Sequence, residues 1–270
     1  MIQNLFAATN LGITAFAVVV FAVLMAGYYV GVALGARRGP RASASEADNV
    51  SPVVTGMLGL LAFSLALTLN MAQGRFDARR AAALAESNAI GTAWLRAKAI
   101  GHPRGEAIAR GFENYLRLRL DYVQAGPRQA GLTDIADRTN AAQGLIWGHV
   151  AAIVRERSDP VAAALQASVN DAFDSSTTQR WAFADPMPEE ILLLLLAMSV
   201  VSISALGYQI SLRARWLPFA SAMLIAMWTA TIALTVDLSQ PRFGSIGLDP
   251  RVYQWTLNGF AGGVTIPPAP

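Results

Sequence analysis

The side chains with the clearest chemical potential lie in one stretch, Ser51 to Lys98. Ser64, Thr68, Asn70, Arg75 and Arg79 sit where an apolar run gives way to a charged, alanine-rich one, and no proline follows Pro52 in the stretch. At roughly 100° per residue on a helix, Ser64, Thr68, Arg75, Arg79 and Glu86 share one narrow stripe. Asn70, Asp77 and Asn88 share a second stripe almost opposite. Hydroxyls, an amide and guanidinium groups on such a helix can solvate an ion, and symmetric assembly turns each into a ring. Rings of arginine favour anions in a pore. Ser and Thr can satisfy themselves on their own helix carbonyls, whereas Asn in lipid is costly unless paired or hydrated. Ser64, Thr68, Asn70, Arg75 and Arg79 are therefore the pore-lining candidates. Charged residues beyond Gln73 fit equally well a helix that has left the membrane.

Other chemistry is sparse. The chain has no cysteine and two histidines, His102 and His149, in separate predicted elements. Asp134 and Asp137 lie one helical turn apart, a spacing usual for a solvated face. No phosphate-binding glycine loop, nucleotide fingerprint, metalloprotease helix or nucleophile elbow is present. The reading is a protein that is not an enzyme, with no metal site and no cofactor. Basic residues are interleaved with acidic ones, which argues against a nucleic-acid partner.

These residues must be positioned by membrane helices. Hydrophobic residues make up 54% of the 270 and charged residues 14%, against about 25% charged in soluble proteins, and the mean hydropathy is +0.39. A spanning helix needs roughly 20 mainly apolar residues. Runs near Leu11–Ala36, Pro52–Ala72, Ile191–Leu212 and Leu217–Val236 qualify, and the N-terminus lacks the basic segment of a cleaved signal. Gly27, Gly31 and Gly35 repeat every four residues on the first run, a ridge for close helix packing, possible between subunits too. The second helix is expected to start at Asn49 or Ser51 with Pro52 in its first turn. Between the second and third runs the sequence has soluble polarity and reads as helices broken at His102-Pro103, at AGPRQAG and at Ser158-Asp159-Pro160. The fold class expected is all-α: a polytopic membrane protein with four transmembrane helices and a helical bundle inserted between helices two and three. The expected divisions are 1–72, 73–186, 187–237 and a partly flexible tail, 238–270. The aromatic part of that tail has two open placements, along the membrane surface or on the bundle.

Arg37, Arg38 and Arg41 after the first run, and Arg213 and Arg215 after the third, place those links in the cytoplasm by the short-loop rule. The bundle and both termini then face outward. Arg75, Arg79 and Arg80 argue the other way.

Two motifs carry a family likeness. RFDARR followed by ESNAIGTAWLR, from Arg75 to Arg96, resembles the bacterial bestrophin-like family, through Asp77, Arg80, Glu86, Asn88, Gly91 and Arg96. So does TVDLSQPRFG after the last span, through Asp237, Pro241, Arg242 and Gly244. The second motif departs from a pattern close to DLDRPRRG, with Ser239, Gln240 and Phe243 in place of polar or charged residues. The resemblance implies an oligomeric anion channel of a bacterial inner membrane, with lipid, further copies of the chain and small anions as partners. The alternative is a non-conducting membrane scaffold or sensor whose bundle binds a partner.

Overall fold

The computed structural model describes residues 12–38, 44–126, 131–185, 187–213, 218–242 and 245–267. Among them every regular element is helical: α1 (Ile13–Arg38), α2 (Ala44–Ala99), α3 (Pro103–Gln124), α4 (Leu132–Glu156), α5 (Pro160–Ala184), α6 (Glu189–Leu212), α7 (Pro218–Ser239) and α8 (Arg251–Ala261). The protein is an all-α membrane protein. Four helical segments, containing α1, α2, α6 and α7, are long and apolar enough to cross a membrane.

The chain divides into two compact units. The first, Met1–Phe76 with Pro186–Ile246, holds the apolar helices. Leu24, Leu61, Ile203, Ile225 and Ile232 form its core. Here the glycine ridge of α1 meets α6 inside one protomer. A Cβ on Gly31 would land on the Ser204 carbonyl oxygen, and one on Gly35 would lie 2.8 Å from the Ser211 Cβ. From α6, Gly207 returns the favour against the Tyr28 backbone. Contacts advance together, Gly27 with Val200 and Ser204, Gly35 with Tyr208 and Ser211, so the two helices run parallel. The subunit-interface option for this ridge is thereby closed: its surface is already used.

The second unit, Asp77–Asp185 with Gly247–Pro270, is a helical bundle. Ile108, Phe112, Tyr115 and Leu116 recur at helical spacing on α3 and are all buried, packed with Ile90, Ile146, Ile153, Leu165 and Val169. Its helix ends follow from local chemistry. After α2, Gly101 adopts φ +65°, a left-handed conformation that closes the helix. His102 then caps α3, its Nδ1 accepting from the Arg104 N–H at 3.1 Å, with Pro103 at the first helical position. The other ring nitrogen, Nε2, lies 2.8 Å from Glu156. The His102 contact, foremost, holds the Glu156 carboxyl below the usual range. Asp159 caps α5 through the Ala162 N–H at 2.8 Å. That bond, with Arg157 beside it, lowers the Asp159 carboxyl.

Two expectations need correction. Helix α2 begins at Ala44, so Pro52 lies inside it rather than in its first turn. One backbone hydrogen bond is lost there, and the helix runs on for 56 residues. The tail does not form one segment. Residues to Ile246 belong with the membrane unit, and those from Gly247 with the bundle unit. Its aromatic stretch forms α8, with Tyr253 and Phe260 buried in the bundle core. The break at AGPRQAG falls mostly outside the described residues.

Candidate functional site

The long helix α2 has a buried and an exposed face, and the two polar stripes of the sequence part between them. Thr68, Arg79 and Glu86 are buried, and Ser64 and Arg75 are half-buried. That stripe points into the protomer. The Thr68 hydroxyl donates to the Ser64 carbonyl at 2.7 Å and so needs no water. Asn70, Asp77 and Asn88 are exposed.

Around Asn70 the exposed face follows alternate steps of four and three residues. In the membrane unit it comprises Gly56, Leu60, Phe63, Leu67, Asn70 and Gly74, all exposed. Leu60, Phe63 and Leu67 are 58%, 62% and 54% exposed, against 0% for Leu61 on the other face. Three large apolar rungs, then an amide, line this stripe. No acidic residue occurs between Pro52 and Phe76. Of the five pore-lining candidates, Asn70 is exposed, Ser64 and Arg75 are half-buried, and Thr68 and Arg79 are buried.

The family-like motif around Glu86 builds a second feature, within the bundle unit. Glu86 on α2, Arg119 on α3, Gln179 on α5 and Tyr253 on α8 converge with every side chain buried. Arg119 Nε donates to Glu86 Oε1 at 2.5 Å, and its Nη2 to Gln179 Oε1 at 2.6 Å. The Tyr253 hydroxyl donates to Glu86 Oε2 at 2.6 Å. Arg119 also lies over the Tyr122 ring, 4.8 Å from its centroid, and Gln143 donates to the nearby Tyr115 hydroxyl at 3.0 Å. The Gln179 amide, turned to offer its oxygen to Arg119, leaves Nε2 buried with no partner.

Electrostatics here are set by burial. Burial raises the Glu86 carboxyl above its ordinary value, and Arg119, Tyr253 and Ser176 pull part of the way back. For Arg119 burial acts downward, but the Glu86 charge outweighs it and the guanidinium is held more firmly protonated. Tyr253 is pushed far up, by burial first and by Glu86 second, which fixes its hydroxyl as a donor. Burial likewise raises Tyr115. The network is a fixed ion pair with an aromatic donor, tying four helices together through one carboxylate.

Around it the motif docks α8 on α2. Ser87 Oγ donates to the Val252 carbonyl at 3.0 Å and lies 2.8 Å from the Thr256 hydroxyl. At Gly91 a Cβ would just reach Thr256 Cγ2, at 3.6 Å. Trp94 stacks on Phe260 with centroids 4.6 Å apart. Arg96 Nη1 donates to the Ala164 carbonyl at 2.8 Å, reaching α5. Arg80 is exposed, and its charge acts on Asp249. In the other motif, Asp237 is buried and accepts from the Ser245 hydroxyl at 2.6 Å and the Ile246 N–H at 3.3 Å, pinning the turn after α7. Pro241 and Arg242 are half-buried, and Gly244 lies outside the described residues. Among the described residues no group of three or more His, Cys, Asp or Glu could hold a metal ion.

Arg119, Gln179 and Tyr253 escaped the sequence reading. Arg119 carried a signal, because it falls between Leu116 and Leu120 in the middle of the apolar stripe of α3. A charge at such a position requires a buried partner.

Fold and site define a class: a polytopic, all-helical membrane protein with an ion pair buried in a helical bundle. Solved structures sharpen it. A tyrosine-to-alanine variant of a bacterial bestrophin homologue from Klebsiella pneumoniae matches 91% of this chain and 97% of its own, with a TM-score of 0.66 and 13% identity. The same homologue solved by zinc anomalous phasing matches over 90% and 98%, with a TM-score of 0.61 and 13% identity. A further crystal structure, described only as a membrane protein, matches over 90% and 97%, with a TM-score of 0.64 and 14% identity. The chain thus has the fold of the bacterial bestrophin homologues. No family model and no curated protein matches it.

Proposed function

We propose that the chain is one protomer of a homo-oligomeric, anion-leaning ion channel of a bacterial inner membrane, lined by the exposed stripe of α2. The observation that carries this reading is the run Leu60, Phe63, Leu67 and Asn70 on one face of a membrane helix, exposed while the opposite face is packed. Apolar rungs narrow a pore and gate it by dewetting. The Asn70 amide supplies donors for an anion, and the lack of carboxylates in this span removes a site for cations. Ser64, Thr68, Arg75 and Arg79 support the helix from behind, the arginines adding positive potential. The resemblance of the two motifs to the bestrophin-like family points the same way.

The orientation that follows from the short-loop rule sets Arg37, Arg38 and Arg213 in the cytoplasm and the bundle outside. A second reading, a non-conducting scaffold, draws on the same apolar rungs, which can seal as well as gate. Cysteine scanning separates the two, because the natural chain has no cysteine. In a channel, current through Leu67→Cys or Asn70→Cys protein is blocked by a charged thiol reagent, and current through Leu61→Cys is not. Absence of current from the unmodified protein at every voltage and salt concentration rejects the channel.

A further inference from the structure

The membrane unit gathers arginines at one end, where, among the described residues, Arg213 pairs with Asp48. Helices α1 and α6 run parallel and finish side by side, because Gly31 and Gly35 admit the α6 backbone. Arg37 and Arg38 close α1, and Arg213 follows α6. All three are exposed. The start of α2 joins the same rim, where Gln209 donates to the Ser51 hydroxyl at 2.9 Å and Arg213 reaches Asp48 at 3.1 Å. Asp48 itself is largely exposed, so this pair contributes little to stability. Arg41 and Arg215 follow in sequence but lie outside the described residues.

Depth brings a specific anion within reach. Helix α1 has 26 residues, about 39 Å at about 1.5 Å per residue. A hydrocarbon core is about 30 Å thick, so α1 is long enough to cross it and to carry Arg37 and Arg38, whose charges are costly in hydrocarbon, into the headgroup layer. Arginine presents a planar fork that pairs with phosphate oxygens bidentately. We infer that Arg37, Arg38 and Arg213 form a binding site for the phosphate of an anionic phospholipid headgroup. This inference does not depend on ion conduction. A purely local alternative also exists: arginines at helix C-termini offset the helix dipole, and that role needs no lipid.

The test uses the full chain in a neutral maltoside detergent, titrated with phosphatidylglycerol, phosphatidylcholine or inorganic phosphate, with bound lipid counted by native mass spectrometry. Phosphatidylglycerol is expected to be retained over phosphatidylcholine, and millimolar phosphate not to displace it. Each charge near an anionic surface contributes roughly fivefold in affinity, about 1 kcal/mol. Joint replacement Arg37→Gln, Arg38→Gln and Arg213→Gln is therefore expected to weaken retention by on the order of 100-fold. Replacement Asp48→Asn, which releases the Arg213 fork, is expected to strengthen it by roughly fivefold. Equal retention of the two lipids, displacement by free phosphate, or unchanged retention in the triple variant overturns the inference. Should the triple variant not fold, Asp48→Asn decides alone, and no gain in retention overturns it.

Discussion

Replacing Arg119 by Met tests the buried network most sharply. In the native chain Glu86 is fully buried and accepts a charge-assisted hydrogen bond from Arg119 Nε at 2.5 Å. Arg119→Met fills similar volume but leaves a carboxylate with only hydroxyl donors, Tyr253 and Ser176. Breaking a buried pair from one side typically costs about 3–5 kcal/mol. At roughly 2–4 °C per kcal/mol for a chain near this size, the apparent midpoint should fall by about 6–20 °C. Tryptophan fluorescence of detergent-purified protein reads it. The sign of the pH effect is also fixed. Burial raises the folded-state value of Glu86 above its unfolded value, and losing Arg119 raises it further. A group raised in this way contributes stability that is full below the unfolded value and is lost as pH rises through the folded one. The deficit of Arg119→Met should thus be small at acid pH and grow from the ordinary carboxylate range toward neutrality. Adding Glu86→Leu removes the stranded charge and should restore much of the loss. A fall of less than about 2 °C, near the bottom of the range for one kcal/mol, would refute the reasoning. So would a double variant whose loss equals the sum of the two single ones.

Other consequences are simpler. Tyr253→Phe removes one hydrogen bond to a charged group, worth about 1.5–3 kcal/mol, and should speed proteolysis and amide exchange within α8 before the rest of the bundle. Gly31→Ala places a methyl on the Ser204 carbonyl. It should cost about 1–3 kcal/mol or more through overpacking, read as a lower thermal midpoint, whereas Gly59→Ala, in open space, should not. Phe63→Ser replaces the middle apolar rung by a wettable one and should raise open-channel current without lowering the thermal midpoint.

Much of the fold was legible because membrane helices announce themselves by length and polarity. Breaks did the same for the bundle: His102-Pro103 and Ser158-Asp159-Pro160 marked where α3 and α5 begin. Helix α8 was not legible. Eleven residues with buried positions at Tyr253 and Phe260 give too short a period, and its burial depends on Ser87, Gly91 and Trp94 far away in sequence. The start of α2 was missed for a related reason, since a proline tolerated within a helix resembles one at its first turn. The site was half legible. Periodicity found both polar stripes of α2 but not which one faces inward, because that choice is made by tertiary contacts far away in sequence, such as those of Glu86 with Arg119 and Tyr253. The motif drew attention to Glu86 without explaining it. The explanation is Arg119, visible as a misplaced charge on the apolar stripe of α3.

Current measurement on the purified chain tests the central proposal most directly. The protein is placed in planar bilayers under a potassium chloride gradient, as unmodified chain and as Asn70→Cys. An anion-leaning channel gives currents that reverse toward the chloride equilibrium potential, and a charged thiol reagent blocks them only in Asn70→Cys. Silence at all voltages, reversal toward potassium, or insensitivity of Asn70→Cys to the reagent contradicts the account.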